Sequence, residues 1–259
     1  MPVASQIVRD LQNGQDNKRS TVLFVTIWEL GEAAGPLFTA PLSEMYGRYK
    51  VYNCSNALFI IGIAMTAWSQ SVGMLVFARF VTGCAVAGNV LNPAIVGDLF
   101  SSESRGSAMS IIMLAPLLGG AIGPVIAGKI AETSGWRPIM WMALALAVAC
   151  EIGFLTLFRE TYKVVILKQS KETAGPLEDD EVTRKRGSVF WTSIMRPAVV
   201  LYSSFILQIL SLYSGFAFAF FYIMSTTLPD ILREKYNMTP VQVGSSFLSF
   251  SELVLTTGR

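Results

Sequence analysis

Seven apolar stretches constrain the fold of this chain more than any other feature. They cover residues 21–40, 51–69, 73–96, 108–130, 139–158, 198–224 and 241–255. A helix of about 20 mostly apolar residues is long enough to cross the hydrocarbon core of a bilayer. Backbone polar groups find no water there, so a spanning segment must satisfy them internally, which favours helices. The sequence therefore predicts an all-α, polytopic membrane protein with about seven transmembrane helices.

Composition supports this prediction and excludes several functions. Hydrophobic residues make up 52% of the chain and charged residues 15%, against about 25% charged residues in soluble domains. The net charge of +2 gives no reason to expect nucleic-acid binding. Histidine is absent, and the three cysteines are widely spaced, which argues against a metal site or a disulfide framework. We expect no enzyme activity, no cofactor and no obligate protein partner.

One long polar segment, residues 159–197, separates the fifth and sixth apolar stretches. It contains an acidic run at 178–181 and a basic triplet at 184–186. A solvated linker is the plain interpretation, and a regulatory or lipid-binding role for the triplet is the alternative. Lysine and arginine are concentrated in this linker, which the positive-inside rule places in the cytoplasm. The N-terminus is then outside and the C-terminus cytoplasmic.

A short charged loop joins the first two apolar stretches within residues 35–52. Gly47 can adopt a positive φ without steric cost. Glu44 and Arg48 carry opposite charges near helix ends, where they can pair or interact with the helix dipoles. We expect a tight cytoplasmic turn at this point.

Several polar residues lie inside apolar stretches. Arg79 is one, and a charge at membrane depth costs roughly 2.5–3.5 kcal/mol unless it is paired, so a functional role competes with that of an interfacial arginine. Glu29 and Glu32 share one helical face, and a carboxylate isolated from water prefers to bind a proton. Proton coupling, substrate contact and helix packing all stay open for this pair.

A further set of residues could line a cavity or simply hold helices together. Asparagines can bond across a helix pair, and aromatic rings pack equally against substrate, lipid or one another. The candidates for a substrate cavity are Asn89, Asn92, Trp141 and Tyr213.

Residues 114–132 carry small residues at every fourth position, together with a proline. Such spacing lets helix backbones approach closely, and proline bends a helix. The residues concerned are Gly119, Gly123, Pro124 and Gly128. Ordinary packing is the alternative reading.

Taken together, these segments resemble the major facilitator superfamily, in particular the fungal branch of its twelve-span drug:proton antiporters (the multidrug and polyamine type). The charged loop is similar to the loop signature of the superfamily at Leu42, Ser43, Gly47 and Arg48, and Glu44 replaces the usual aspartate. Arg79 and Gly83 are similar to the Arg-x-x-x-Gly motif of its fourth helix. Residues 119–128 resemble its fifth-helix antiporter motif, with alanine in place of one glycine.

The resemblance implies a function and a role for each motif. The function is secondary active efflux of small organic solutes or drugs in exchange for protons by alternating access, with the plasma membrane as the expected location. The expected partners are the lipid bilayer, a small-molecule substrate and protons. The implied roles are a gating loop at Glu44, Gly47 and Arg48, proton coupling at Arg79, Glu32 and Glu29, and preference for exchange at Gly119, Gly123, Pro124 and Gly128.

The resemblance also divides the chain. Residues 1–158 correspond to an N-terminal transmembrane half lacking its first helix, 159–197 to the central cytoplasmic linker, and 198–259 to the start of the C-terminal half, with the seventh and part of the eighth helix. Because alternating access needs both halves, we expect no transport by this chain alone. Alternatives are a solute–proton symporter of the same fold and, less favoured, a seven-helix receptor, whose Asp-Arg-Tyr and Asn-Pro-x-x-Tyr motifs the sequence lacks.

Overall fold

The computed structural model describes residues 4–11, 18–86, 88–162, 165, 194–195, 197–239, 242–243 and 245–246. Within these ranges all regular structure is helical and no strand occurs. The helices are α1 Ala4–Leu11, α2 Lys18–Tyr46, α3 Arg48–Ala67, α4 Val72–Cys84, α5 Gly88–Leu99, α6 Arg105–Ser134, α7 Arg137–Leu157 and α8 Phe205–Glu234. Residues 197–203 are also helical and are separated from α8 at Ser204, whose hydroxyl caps α8 by accepting from the Leu207 N–H.

Most of the predicted spans correspond to one helix each. By length and composition, four of the described helices could cross a membrane, namely Arg19–Tyr46, Arg105–Ser134, Arg137–Leu157 and Phe205–Arg233. Two shorter apolar helices, Val72–Cys84 and Val90–Leu99, together overlap most of the third predicted span. The last predicted span, 241–255, lies almost wholly outside the described residues.

The third predicted span is not one helix but two. Helix α4 ends at Cys84, where the Ala85 N–H donates to Val81 O at 3.0 Å and the Val86 N–H to Gly83 O at 3.1 Å. Helix α5 begins at Gly88. The apolar run continues through the break, so hydropathy alone could not reveal it.

Helices α2 and α4 cross with their backbones in contact. A Cβ atom at Gly31 would lie 2.6 Å from Phe80 O, and one at Gly35 would overlap Cys84 O. On the opposite helix, a Cβ at Gly83 would overlap the carbonyl oxygen of Trp28. Small residues four positions apart allow this approach. The crossing therefore depends on the absence of side chains at three positions.

Two buried apolar clusters fix the ends of the bundle. At the end predicted to face outside, α1 inserts its side chains among α2, α4, α6 and α7; the buried residues are Ile7, Val8, Phe24, Leu75, Ala131 and Trp136. At the other end, Val51 of α3 packs with Leu91 of α5. Both clusters lie beside the polar residues described below and hold their helices in place.

Helices α3 and α7 are joined by a mixed polar and aromatic interface. The Tyr52 and Phe154 rings stack with centroids 4.4 Å apart. About one turn away on each helix, the Asn56 amide donates to the Glu151 carboxylate at 2.6 Å, and Glu151 is buried. A buried carboxylate is costly without such a donor. Within the described part of the chain, Asn56 is the one side chain that donates to it.

Replacing Asn56 with leucine is expected to lower the free energy of unfolding by about 1–3 kcal/mol, because Glu151 then loses its donor while staying buried. The double variant with leucine at both positions should recover much of this loss. Thermal unfolding in detergent micelles measures both effects. Thr156→Val on α7 is a suitable control, since the Thr156 hydroxyl bonds only its own helix. A double variant less stable than Asn56→Leu would contradict the expectation.

Candidate gate and intramembrane polar site

The turn between α2 and α3 is built around Gly47, as the sequence predicts. Gly47 has φ +100°, a conformation that side chains rarely adopt. Its N–H donates to Ser43 O at 3.1 Å, which closes the last turn of α2. A Cβ atom here would overlap the Glu160 carboxylate. The position therefore requires glycine both for its backbone angle and for space.

Arg48 connects four parts of the chain through its guanidinium, which is buried. Its Nε lies 3.4 Å from Asp98 Oδ2 at the end of α5, forming an ion pair. Nη1 donates to the hydroxyl of Ser43 on α2. The guanidinium carbon lies 5.1 Å from the centroid of the Tyr162 ring, at the start of the linker. One side chain thus ties α2, α3 and α5 to the segment after α7.

Glu160 caps the start of α3 from a distant part of the sequence. Its carboxylate accepts from the backbone N–H groups of Arg48 at 2.9 Å and Tyr49 at 3.2 Å. It also accepts from the N–H groups of Thr161 at 3.1 Å and Tyr162 at 3.0 Å. A carboxylate is favourable at this end of a helix because free N–H groups and the helix dipole face it. The first residues of the linker are therefore held against the turn between α2 and α3.

Of the three gating-loop candidates, Gly47 and Arg48 lie at the turn between α2 and α3, whereas Glu44 lies earlier, on α2. Glu44 is exposed on α2, and the carboxylate paired with Arg48 is Asp98. Sequence reasoning identified neither Asp98 nor Glu160 as a partner. The available signal was weak: each is a carboxylate at the end of an apolar stretch, and nothing in the spacing links it to Arg48.

Arg79 lies inside the bundle, on the face of α4 that contacts α2. It is 8% exposed, which does not fit an arginine that extends to the membrane surface. Its guanidinium carbon is 4.8 Å from the Phe24 ring centroid and 5.7 Å from that of Trp28. Cations are attracted to aromatic faces, and more strongly away from water. The two rings of α2 therefore help to hold this charge.

The acidic residues of α2 adjoin the same place. The Trp28 indole N–H donates to the Glu32 carboxylate at 3.1 Å, so Trp28 contacts both Arg79 and Glu32. Glu29 is half-buried and lies close to the Tyr222 side chain of α8. The structure thus gathers the three proton-coupling candidates around the α2–α4 crossing. Their role in coupling stays a prediction.

The substrate-cavity candidates have diverse surroundings. Asn92 accepts from the Tyr52 hydroxyl at 3.2 Å and so links α5 to α3. Trp141 is exposed and packs edge-on against Trp68, with centroids 6.0 Å apart. Tyr213 is exposed on α8, and the side chain of Asn89 lies outside the described residues. Substrate contact remains a prediction for all four positions.

The fifth-helix motif lies on α6, which continues through Pro116 and Pro124. Apart from the adjacent backbone of α6 itself, no described atom lies within 4 Å of a Cβ placed at Gly119 or Gly123, so the described helices do not make the close contact predicted there. Gly128, nearer the end of α6, is buried. Gly119 and Gly123 therefore present an open surface among the described residues, whereas Gly128 does not.

Metal-binding groups do not gather in the part of the chain that the structure describes. No set of three or more Cys, Asp or Glu side chains is placed there to hold an ion. The cysteines are free, with Cys54 and Cys150 exposed and Cys84 half-buried. The chemistry of the site is therefore that of charged and aromatic side chains.

Apolar helices of membrane-spanning length, a partly buried ion pair at a loop between them and an arginine within the bundle are typical of a polytopic membrane protein. A family model described as Major Facilitator Superfamily matches residues 11–259. The chain belongs to the major facilitator superfamily, a family of membrane transporters rather than enzymes.

Curated relatives agree with this assignment. The chain is 34% identical over 258 residues to "Efflux pump radE" of Floropilus chiversii, covering 96% of this chain and 47% of that protein. It is 33% identical over 255 residues to "MFS-type transporter penM" of Penicillium rubens, covering 95% and 50%. It is 31% identical over 258 residues to "MFS-type transporter oryF" of Aspergillus oryzae, covering 97% and 53%. The chain spans about half the length of these relatives.

Proposed function

We propose that this chain is part of a secondary active transporter that exports small organic solutes in exchange for protons by alternating access. The observation that carries the proposal is the contact of Arg79 with Trp28, which in turn bonds Glu32. A fixed positive charge and a carboxylate then share one aromatic partner inside the bundle. The names of the relatives, an efflux pump and transporters, support export.

Exchange requires that proton binding and solute binding exclude each other. Glu29 and Glu32 lie one turn apart on α2, and both are half-buried. Each carboxylate oxygen can bind a proton or accept a hydrogen bond from another group, but the same lone pair cannot do both at once. Movement of α4 against α2 changes how closely Arg79 approaches them, and with it their preference for a proton. This coupling links the helix arrangement to proton binding.

Alternating access also needs a gate that opens and closes. Arg48, Asp98 and Glu160 form one at the end of the bundle predicted to be cytoplasmic. In the proposed organisation, residues 1–158 belong to the N-terminal half, 159–197 to the cytoplasmic linker and 198–259 to the start of the C-terminal half. The plasma membrane is the proposed location.

The test is a proton-flux measurement in proteoliposomes. The protein encoded by the transcript that spans both ends of this chain is reconstituted into liposomes that enclose a pH-sensitive dye. A gradient of a fluorescent organic solute is then imposed across the liposome membrane. If the protein exchanges solute for protons, protons should move in the direction opposite to the solute. This proton movement should be lost in Arg79→Gln and should persist in the control Glu132→Gln, which changes an exposed residue. Proton movement in the same direction as the solute indicates symport and overturns the proposal, as does solute flux without proton movement.

A further inference from the structure

A shallow groove of about 340 Å³ lies on the last turns of α7. Its volume falls within the range of about 300–1,000 Å³ that is usual for small-molecule sites. Gly153 lies in its wall, and apart from the adjacent backbone of α7 no described atom lies within 4 Å of a Cβ placed there. The lining residues are Cys150, Gly153, Phe154, Leu157 and Phe158. Neither the gate nor the proton-coupling proposal uses this apolar opening.

The position of the groove along α7 places it within one leaflet of the bilayer. The helix is long and apolar enough to span a membrane. Around the groove, Ile152, Leu155 and Leu157 are exposed, as is expected of a surface that contacts lipid. From residue 150 to 158 the helix rises about 12 Å, which is less than half of the hydrocarbon thickness of about 30 Å. The groove therefore lies in the half of the bilayer predicted to be cytoplasmic.

Stacked rings hold the aromatic part of the groove in place. The Phe154 and Phe158 rings stack with centroids 4.4 Å apart. From α3, Tyr52 stacks on Phe154 with centroids 4.4 Å apart, and Tyr49 stacks on Phe158 at 6.2 Å. Groups that are already fixed lose little freedom when a ligand binds, which favours affinity. The groove therefore offers a hydrocarbon chain a preformed surface.

Two cations lie where the groove reaches the end of α7. Arg159 follows Phe158 in the chain and Lys50 follows Tyr49, so the stacked rings bring both basic residues to the same end of the α3–α7 pair. Both side chains are exposed, and neither forms an ion pair within the described part of the chain. The carboxylate next to Arg159, that of Glu160, already accepts from four backbone N–H groups. The groove therefore ends beside two cations that are available to an external anion.

We propose that this groove binds an acyl chain of an anionic phospholipid from the cytoplasmic leaflet, with the lipid headgroup against Lys50 and Arg159. The apolar groove accommodates hydrocarbon, and the two long side chains can extend to the membrane surface and bond the phosphate oxygens. Anionic lipids give the cytoplasmic leaflet its negative surface potential, which attracts basic residues. An apolar helix packed here would cover the groove but leave both cations without an anion, so the charge favours a lipid. The site does not depend on how solute and protons are coupled.

Photolabelling of the whole 259-residue chain tests this proposal. The chain is placed in nanodiscs of phosphatidylcholine that contain a small fraction of a probe lipid. The two probes are phosphatidylserine and phosphatidylcholine with the same diazirine-bearing acyl chain, and mass spectrometry of the peptides locates the label. Each basic residue near the surface should strengthen binding of an anionic lipid about fivefold. We therefore expect saturable labelling of residues 150–158 by phosphatidylserine, about twenty-five times stronger than by phosphatidylcholine.

Substitutions test the charge and the groove separately. Lys50→Gln and Arg159→Gln should each lower phosphatidylserine labelling about fivefold, and the double variant should lower it to the phosphatidylcholine level. Gly153→Leu should reduce labelling by both probes, because the added side chain fills the groove. Cys150→Trp fills the same groove from an exposed position if the leucine variant does not fold.

Two positions elsewhere give matched controls. Lys129→Gln removes an exposed cation near the opposite end of the bundle. Gly120→Leu adds the same leucine side chain at an open position of α6. Both variants should be labelled at residues 150–158 like the parent chain, and circular dichroism verifies that each variant folds.

Four results would overturn the proposal. The first is equal labelling of residues 150–158 by the two probes. The second is full phosphatidylserine labelling in the Lys50→Gln/Arg159→Gln variant, and the third is full labelling in the variant with a filled groove. The fourth is absence of label from these residues together with a chemical cross-link between two copies at Cys150, which would show that a second copy covers the groove. Since the readout is bound lipid and not flux, failure here is independent of failure of the proton-exchange proposal.

Discussion

Alanine at Gly83 is expected to lower the free energy of unfolding of the bundle by about 2–3 kcal/mol, and valine by more. Added atoms in a packed interior typically cost about 1–3 kcal/mol, because neighbours must move. Here the neighbour is the carbonyl oxygen of Trp28, a backbone atom of α2 that cannot rotate away. The two helices must separate, and the contact of Arg79 with the ring of Trp28 weakens with them.

Two measurements follow this change. Thermal unfolding in detergent micelles gives the loss of stability. The reaction of Cys84 with a maleimide reports local separation, because this half-buried thiol sits one residue from Gly83, and the exposed Cys54 and Cys150 serve as internal references. We expect faster labelling of Cys84 relative to both references.

Gly73→Ala on the same helix is the matched control. Apart from the adjacent backbone of α4, none of the described atoms lies within 4 Å of a Cβ placed at Gly73, and alanine favours a helix over glycine by up to about 1 kcal/mol. This variant should therefore be as stable as the parent chain or more so. If alanine at positions 73 and 83 gave the same stability, the close backbone contact of α2 and α4 would be wrong.

How far the sequence predicts this fold depends on the kind of signal. A long apolar run is a local property, so α2, α3, α6 and α7 follow from hydropathy alone. The division of residues 73–96 into α4 and α5 does not, because apolar side chains continue across the break. The break follows directly after the close contacts of Gly83 with Gly31 and of Cys84 with Gly35, which are a tertiary property.

The candidate site shows the same limit. The turn at Gly47 was predictable, since a glycine between charged residues at a helix junction indicates a positive φ. The partners of Arg48 were not, because Asp98 and Glu160 become neighbours only once α5 and α7 pack against α3. The nearby Glu44 was the natural candidate from spacing, yet its side chain is exposed on α2. Sequence spacing identifies contacts within a helix better than contacts across the bundle.

Glutamine at Arg48 is expected to have the second large effect, a loss of about 3 kcal/mol in stability together with local opening of the turn. Removing one member of a buried ion pair leaves the other charge uncompensated, which costs about 3–5 kcal/mol. The lower end applies because the side chain of Asp98 is 23% exposed. Arg48→Lys keeps the charge without the planar fork that reaches Ser43 and Asp98 together, so its loss should be intermediate.

Hydrogen exchange locates the opening. The N–H groups of Arg48 and Tyr49 donate to Glu160 and are protected while the turn is closed. In Arg48→Gln, the amide of Tyr49 should exchange about tenfold faster, since a tenfold change corresponds to about 1.4 kcal/mol of local stability. Lys50→Gln, which removes an exposed cation two residues away, should leave this rate unchanged.

The double variant Arg48→Gln/Asp98→Asn separates a gate from an ordinary surface pair. If the pair is buried and the charges depend on each other, removing both costs less than removing the arginine alone, because no uncompensated carboxylate remains. An exposed pair would instead give two small and additive losses, each below about 1 kcal/mol. Additive losses with unchanged exchange at Tyr49 would show that Arg48 does not hold the turn closed, and the proposed gate would then need another residue as its lock.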